Sequence, residues 1–96
     1  MRTAVFSTRP YDEQYLSQAN VSAGHQLRFY ETRLTPHTAA LADGAEAVCA
    51  FVNDDLGQET IDHLARLGVR LVALRSAGFN HIDLDAAARL GITVLR

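Results

Sequence analysis

The sequence predicts an α/β fold built on a doubly wound parallel sheet, and three observations carry that expectation. Short β-prone runs alternate with stretches whose apolar residues recur at helical spacing, a pattern that favours parallel strands joined by helices. The run Ala47-Val48-Cys49-Ala50-Phe51-Val52 is apolar at consecutive positions, as a strand covered on both faces requires. Ala65-Arg66-Leu67-Gly68-Val69 and Ala88-Arg89-Leu90-Gly91-Ile92 match closely, each reading as a helix end that passes through glycine into a strand. Only these two units agree and the earlier ones differ, so the pattern is not a solenoid.

Thr3 to Phe6 forms the first β-prone run, closed by Ser7-Thr8-Arg9-Pro10, where proline holds Arg9 extended. From Tyr11 to Ala23, Tyr15, Leu16 and Ala19 fall at helical spacing; Asp12 favours the positive end and Gly24 terminates. Gln26 to Glu31 alternates, with Leu27 and Phe29 on one face and Arg28 and Tyr30 on the other, which suits a half-exposed edge strand. Pro36 suits a first helical turn, and Thr38 to Ala42 makes a short helical segment ended near Gly44. The apolar strand at 47–52 follows.

Gly57 to Leu67 places Ile61, Leu64, Ala65 and Leu67 on one helical stripe, stopped at Gly68, and Val69 to Leu74 reads as the next strand. Asp83 or Asp85 can cap a helix from Leu84 to Leu90, Gly91 stops it, and Ile92 to Leu95 begins another strand. The sum is a flavodoxin-like sheet of four or five parallel strands in the order 2-1-3-4-5, with helices on both faces. The chain ends at Arg96 directly after a strand-like run, which reads as a truncation.

Composition narrows the function. At 96 residues and 48% hydrophobic content there is material for one core and not for two domains. The nine positive residues are all arginine, scattered along a chain of net charge -2, so there is no basic stripe for nucleic acid. The N-terminal apolar run breaks at Ser7, too short for a signal core or a membrane span, and a cytoplasmic location is expected. Cys49 is alone among apolar neighbours and reads as a buried, inert thiol. No metal site is expected: Asp54 and Asp55 read as solvated loop acids, with no histidine spaced to join them. His63 reads as a solvated helix position and His81 as a turn or cap residue.

In open α/β sheets ligands bind beyond the carboxyl ends of the strands, here the loops at 7–11, 53–57 and 75–81. The third, Arg75-Ser76-Ala77-Gly78-Phe79-Asn80-His81, packs small residues after a buried strand, where backbone N–H groups can face an anion. Equally, Gly78 can serve only a turn, and Asn80 and Asp83 only cap the next helix. Phe51 fits a pocket wall or a core aromatic. Arg75 can assist an anion or pair with Asp54, Asp55 or a carbonyl.

Phe51-Val52-Asn53-Asp54-Asp55, Leu74-Arg75-Ser76-Ala77-Gly78-Phe79-Asn80, Ile82-Asp83-Leu84-Asp85-Ala86-Ala87 and the start Ala4-Val5-Phe6-Ser7-Thr8 resemble the D-2-hydroxyacid dehydrogenases, D-lactate dehydrogenases above all. The likeness runs over essentially the whole chain. It implies that residues 1–96 are the N-terminal part of the substrate-binding domain, and that the cofactor-binding Rossmann domain is absent from this chain. It also implies that Ser76, Ala77 and Gly78 hold a substrate carboxylate through their backbone amides and that Phe51 lies over the substrate. The intact enzyme would reduce pyruvate or a similar 2-keto acid with NADH. Hydride would pass from the nicotinamide to the keto carbon, a protonated histidine would supply the proton and an arginine would polarise the carbonyl.

By the same resemblance the catalytic arginine, glutamate and histidine lie downstream, so no catalytic residue falls in this chain. No two of the six glycines, at 24, 44, 57, 68, 78 and 91, are separated by a single residue, so the dinucleotide fingerprint is missing and the fragment alone should bind no NAD. An inactive fragment that exposes apolar surface and self-associates is expected, from an intact enzyme that is a homo-oligomer. The alternative is a non-catalytic flavodoxin-like binding or interaction module. A phosphorylatable receiver would need an acidic pair after its first strand and a lysine, and flavodoxins a hydroxyl-rich loop where Pro10-Tyr11 stands; neither fits.

Overall fold

The computed structural model describes residues 1–20, 24, 26–51, 53–75 and 82–95. In chain order the elements are β1 (Arg2–Val5), α1 (Pro10–Asn20), β2 (Gln26–Phe29), a 3₁₀ turn (Ala39–Ala42), β3 (Ala47–Ala50), α2 (Gln58–Arg66), β4 (Leu71–Leu74), α3 (Leu84–Arg89) and β5 (Thr93–Leu95). The five strands form one sheet in the order β2-β1-β3-β4-β5, every pairing parallel. That is the order expected from the sequence. Each strand is shorter than the apolar run that marks it, and α1 begins one residue early because proline is well suited to the first helical position. Residues 21–23, Val52 and the 76–81 loop lie outside the described residues, as do the side chains of Asp12, Tyr15 and Ala19.

Register divides the sheet into two faces. Ala4, Val48, Val72 and Val94 stand side by side on one face, whereas Val5, Cys49, Ala73 and Leu95 stand side by side on the other. The 3₁₀ turn, α2 and α3 cover the first face and bury Ala4, Phe6, Val48, Val72, Ile61, Leu64 and Ala86 in one cluster. The right-handed crossover from β1 to β2 puts α1 on the second face. There Val5 and Ala47 are buried, Leu71, Ala73 and Cys49 are half-buried, and Leu95 is 52% exposed.

Three expectations about exposure change. The Cys49 thiol is not fully buried, because it stands on the second face. Tyr30, expected on an exposed face with Arg28, is half-buried: its ring centroid lies 5.3 Å from that of Phe6 and its hydroxyl donates to the Leu41 carbonyl at 3.1 Å. His63, expected in solvent, is half-buried in the last turn of α2.

The repeated Ala-Arg-Leu-Gly-(Val/Ile) segments have one physical cause. At the end of α2 the Gly68 N–H donates to Ala65 O at 3.1 Å and the Val69 N–H to Leu64 O at 3.0 Å. At the end of α3, Gly91 N–H donates to Ala88 O at 3.3 Å and Ile92 N–H to Ala87 O at 2.9 Å. Both are Schellman caps, which satisfy terminal carbonyls and need a left-handed residue at the turn. Gly68 and Gly91 supply it with φ of 90° and 75°. Val69 and Ile92 then enter the core as the chain turns back to the sheet. At the other end of α3, the Asp83 carboxylate accepts from the Ala86 N–H at 2.9 Å, so Asp83 rather than Asp85 is the cap.

Space around Gly68 is open, so Gly68→Ala tests the left-handed backbone alone. It should cost about 1–2 kcal/mol, read from the urea midpoint of the natural full-length polypeptide; an unchanged midpoint would refute the cap as a source of stability.

Candidate functional site

The loops at the carboxyl ends of β1, β2, β3 and β4 enclose an open cleft of about 620 Å³. After β1 come Ser7, Arg9 and Tyr11, and after β2 come Glu31 and Arg33. Phe51 and Asn53 follow β3, and Arg75 follows β4. Three arginines against one glutamate make the described lining cationic, and the N-terminal end of α1, at Pro10, adds its partial positive charge between Arg9 and Tyr11. Chemically, the lining suits an anion with an apolar body.

One side chain ties these loops together. Asp54, expected as a solvated acid, is instead 2% exposed. Its Oδ1 accepts from the Ser7 hydroxyl at 2.5 Å and the Leu34 N–H at 2.7 Å, and its Oδ2 accepts from the Phe51 N–H at 2.7 Å. Three donors from the loops after β1, β2 and β3 replace the water the carboxylate has lost. Adjacency in sequence to Asp55 concealed this role. Asp55 is half-buried, and its Oδ1 accepts from the Gly57 N–H at 2.9 Å ahead of α2.

Ser7 is held in the left-handed region, with φ of 56°, a conformation that costs a residue with a Cβ about 1–2 kcal/mol. The bond to Asp54, together with Ser7 N–H to Thr32 O at 3.0 Å, holds it there. Strain of this kind persists where the surroundings over-determine the backbone, and here it lies on the cleft wall. No feature of the sequence marks Ser7 in advance, since glycine is the usual residue at such a φ.

Phe51 lines the cleft and is 38% exposed, outside the buried cluster. The Arg75 guanidinium lies 5.2 Å from its ring centroid, a cation–π distance, and Nη2 of Arg75 donates to the Phe6 carbonyl. Of the partners open to Arg75 from the sequence, the structure thus supplies a carbonyl. The Arg75 N–H continues the ladder to Ala50 O at 2.9 Å. Ser76, Ala77 and Gly78, expected to hold a carboxylate, lie outside the described residues, as do Asn80 and His81. The cationic cleft therefore gathers Phe51 and Arg75 with Arg9, Arg33 and Tyr11, which sequence reasoning did not single out. Their only signal was position after the first two strands.

Comparison with known proteins places the chain in a family. The sequence matches the family described as D-isomer specific 2-hydroxyacid dehydrogenase, catalytic domain, over residues 3–96. It is 51% identical over 96 residues to the D-lactate dehydrogenase of Escherichia coli strain K12, covering 100% of this chain and 29% of that protein. The fold superposes on the apo-structure of the E. coli D-lactate dehydrogenase with a TM-score of 0.96, at 51% identity, over 98% of this chain and 30% of the other. The NAD-complexed D-isomer specific 2-hydroxyacid dehydrogenase of Lactobacillus delbrueckii ssp. bulgaricus shares the fold with a TM-score of 0.87 at 22% identity, over 98% of this chain and 29% of the other. The chain thus spans about three-tenths of the length of the relatives it matches.

In Asp54→Asn the side-chain amide must turn a donor toward the N–H of Phe51 or toward Leu34 and Ser7. A loss of about 2–3 kcal/mol follows, measured by urea unfolding of the natural full-length polypeptide. Wild-type stability in that variant would mean the carboxylate does not organise the loops.

Proposed function

Because the chain belongs to the D-isomer specific 2-hydroxyacid dehydrogenases, matching the family's catalytic domain over residues 3–96, we propose that it forms part of the substrate-binding domain of an NAD-dependent D-lactate dehydrogenase. The substrate in this reading is a small 2-oxo acid, pyruvate foremost, reduced to the D-2-hydroxy acid. The observation that carries it is the cationic cleft at the carboxyl ends of the strands, walled by Phe51 and Arg75. The reading is supported by the 51% identity to the E. coli D-lactate dehydrogenase over all 96 residues.

Each of these groups has a task in that chemistry. Phe51 offers an apolar wall to the carbon end of the substrate, and Arg75, stacked on it, keeps the ring in place while adding positive charge. The backbone amides of Ser76, Ala77 and Gly78, directly following Arg75 in the chain, take the carboxylate. Asp54 positions the wall by holding the Phe51 N–H.

NAD does not fit on these residues. No pair among the six glycines has the single-residue spacing of a dinucleotide turn, so the cofactor, the hydride it supplies and the proton donor belong to other parts of the enzyme. Residues 1–96 are then the N-terminal part of the substrate domain. The half-covered second face around Leu71, Ala73 and Leu95 is the side on which the rest of the protein packs, and the 96-residue polypeptide alone self-associates through it.

Two measurements test this. The natural full-length polypeptide should oxidise NADH in a pyruvate-dependent way, and Phe51→Ala should lower kcat/KM for pyruvate about tenfold, a loss of about 1.4 kcal/mol in transition-state binding. Full-length protein inert toward every small 2-oxo acid would sink the reading. The 96-residue polypeptide, verified by intact mass, should show no turnover and should sediment as more than a monomer. Robust turnover at 10.5 kDa would overturn the placement of the chemistry elsewhere.

A further inference from the structure

Phe51 is a wall that core packing does not hold. It is 38% exposed and lies outside the buried cluster, so its place in the cleft depends on what ties down its backbone and its ring. Asp54 holds the backbone: its Oδ2 accepts from the Phe51 N–H at 2.7 Å, and its own N–H donates to the Phe51 carbonyl at 3.0 Å. Arg75 holds the ring, with its guanidinium 5.2 Å from the ring centroid.

Both ties run to the end of β1. The other carboxylate oxygen of Asp54 accepts from the Ser7 hydroxyl at 2.5 Å, and Nη2 of Arg75 donates to the carbonyl of Phe6, the residue before. Phe6 is fully buried and its N–H donates to the Cys49 carbonyl at 3.0 Å, so this anchor is part of the sheet. A circuit therefore runs from the Phe51 backbone through Asp54 to Ser7, along the chain to Phe6, and through Arg75 back to the Phe51 ring.

Resting on the 2-oxo acid reading above, we propose that Ser7 is a specificity-determining positioning residue. Through Asp54 it braces Phe51 against the end of β1, and the brace keeps that wall close to the substrate, which favours a short 2-oxo acid over one with a bulky side chain. The backbone of Ser7 supports this. Glycine would adopt its φ of 56° at no steric cost, yet glycine has no hydroxyl to give Asp54. Strain kept on the cleft wall is accounted for by the bond that the serine side chain makes there. Removing that hydroxyl leaves Asp54 with the Leu34 and Phe51 N–H groups, so the acid stays partnered while the link to β1 is cut.

The test is NADH oxidation by the natural full-length polypeptide with pyruvate and with phenylpyruvate. In Ser7→Ala the ratio of kcat/KM for phenylpyruvate to that for pyruvate should rise about tenfold over wild type, as a wall free to retreat loses contact with a methyl group and makes room for a ring. Adding Ser7→Ala to Phe51→Ala should leave the ratio where Phe51→Ala puts it, because the brace acts through that residue. A ratio that Ser7→Ala does not raise, or a rise of the same size without Phe51, would overturn the proposal. A second readout needs no turnover: in protein labelled with 4-fluorophenylalanine, the fluorine resonance that Phe51→Ala removes should shift in Ser7→Ala, and an unmoved resonance sinks the brace. Full-length protein inert toward every 2-oxo acid defeats the dehydrogenase reading, and the brace is then decided by that resonance alone.

Discussion

A carboxyl group that is 2% exposed must find donors in place of water, and Asp54 obtains them from three different loops. That requirement organises the functional end of the molecule. With Ser7 on one oxygen and Phe51 on the other, the wall of the cleft and its strained corner are set by the same group. Further backbone bonds run alongside: Thr8 N–H to Tyr30 O at 3.0 Å and Asp55 N–H to Leu34 O at 2.7 Å stitch the loops after β1, β2 and β3 into one surface. Loops so joined move together or not at all, which suits a site that must hold a small ligand in one orientation.

The frame beneath those loops was legible in the sequence because it rests on local rules. Consecutive apolar residues at 47–50 mark the central strand, and the two Ala-Arg-Leu-Gly segments mark helix ends whose left-handed turn only glycine enters without cost. Asp83 reads as a cap from its place before Leu84, and its carboxylate indeed meets the Ala86 N–H. The strand order is that of the flavodoxin-like sheet the alternation was expected to form, and right-handed crossovers then decide which face each helix covers.

What was not legible depends on partners far apart in the chain. Asp54 is separated by 47 positions from Ser7 and by 20 from Leu34, and nothing near it distinguishes a buried acceptor from a solvated one. Tyr30 misled for a related reason: alternation assigns it to the face of Arg28, but that face is covered further along by Phe6 and the 3₁₀ turn, so one strand carries an exposed arginine and a half-buried tyrosine in the same row. Periodicity gives the face; packing against distant elements decides how deeply each position on it is covered.

Electrostatics follows the same logic and bears most directly on function. The chain has a net charge of -2, which by itself argues against anionic ligands, yet the described lining of its cleft is cationic. Parallel topology resolves the contradiction, because it brings the residues after every strand to one edge, whatever their separation in sequence. Arg9, Arg33 and Arg75 are scattered in the chain and gathered by the fold, while acids such as Glu46, Glu59 and Asp62 precede β3 or lie along α2, away from the cleft lining. Low-dielectric walls such as Phe51 focus the resulting field into the cleft, so it is the field there, and not the net charge, that an approaching carboxylate meets.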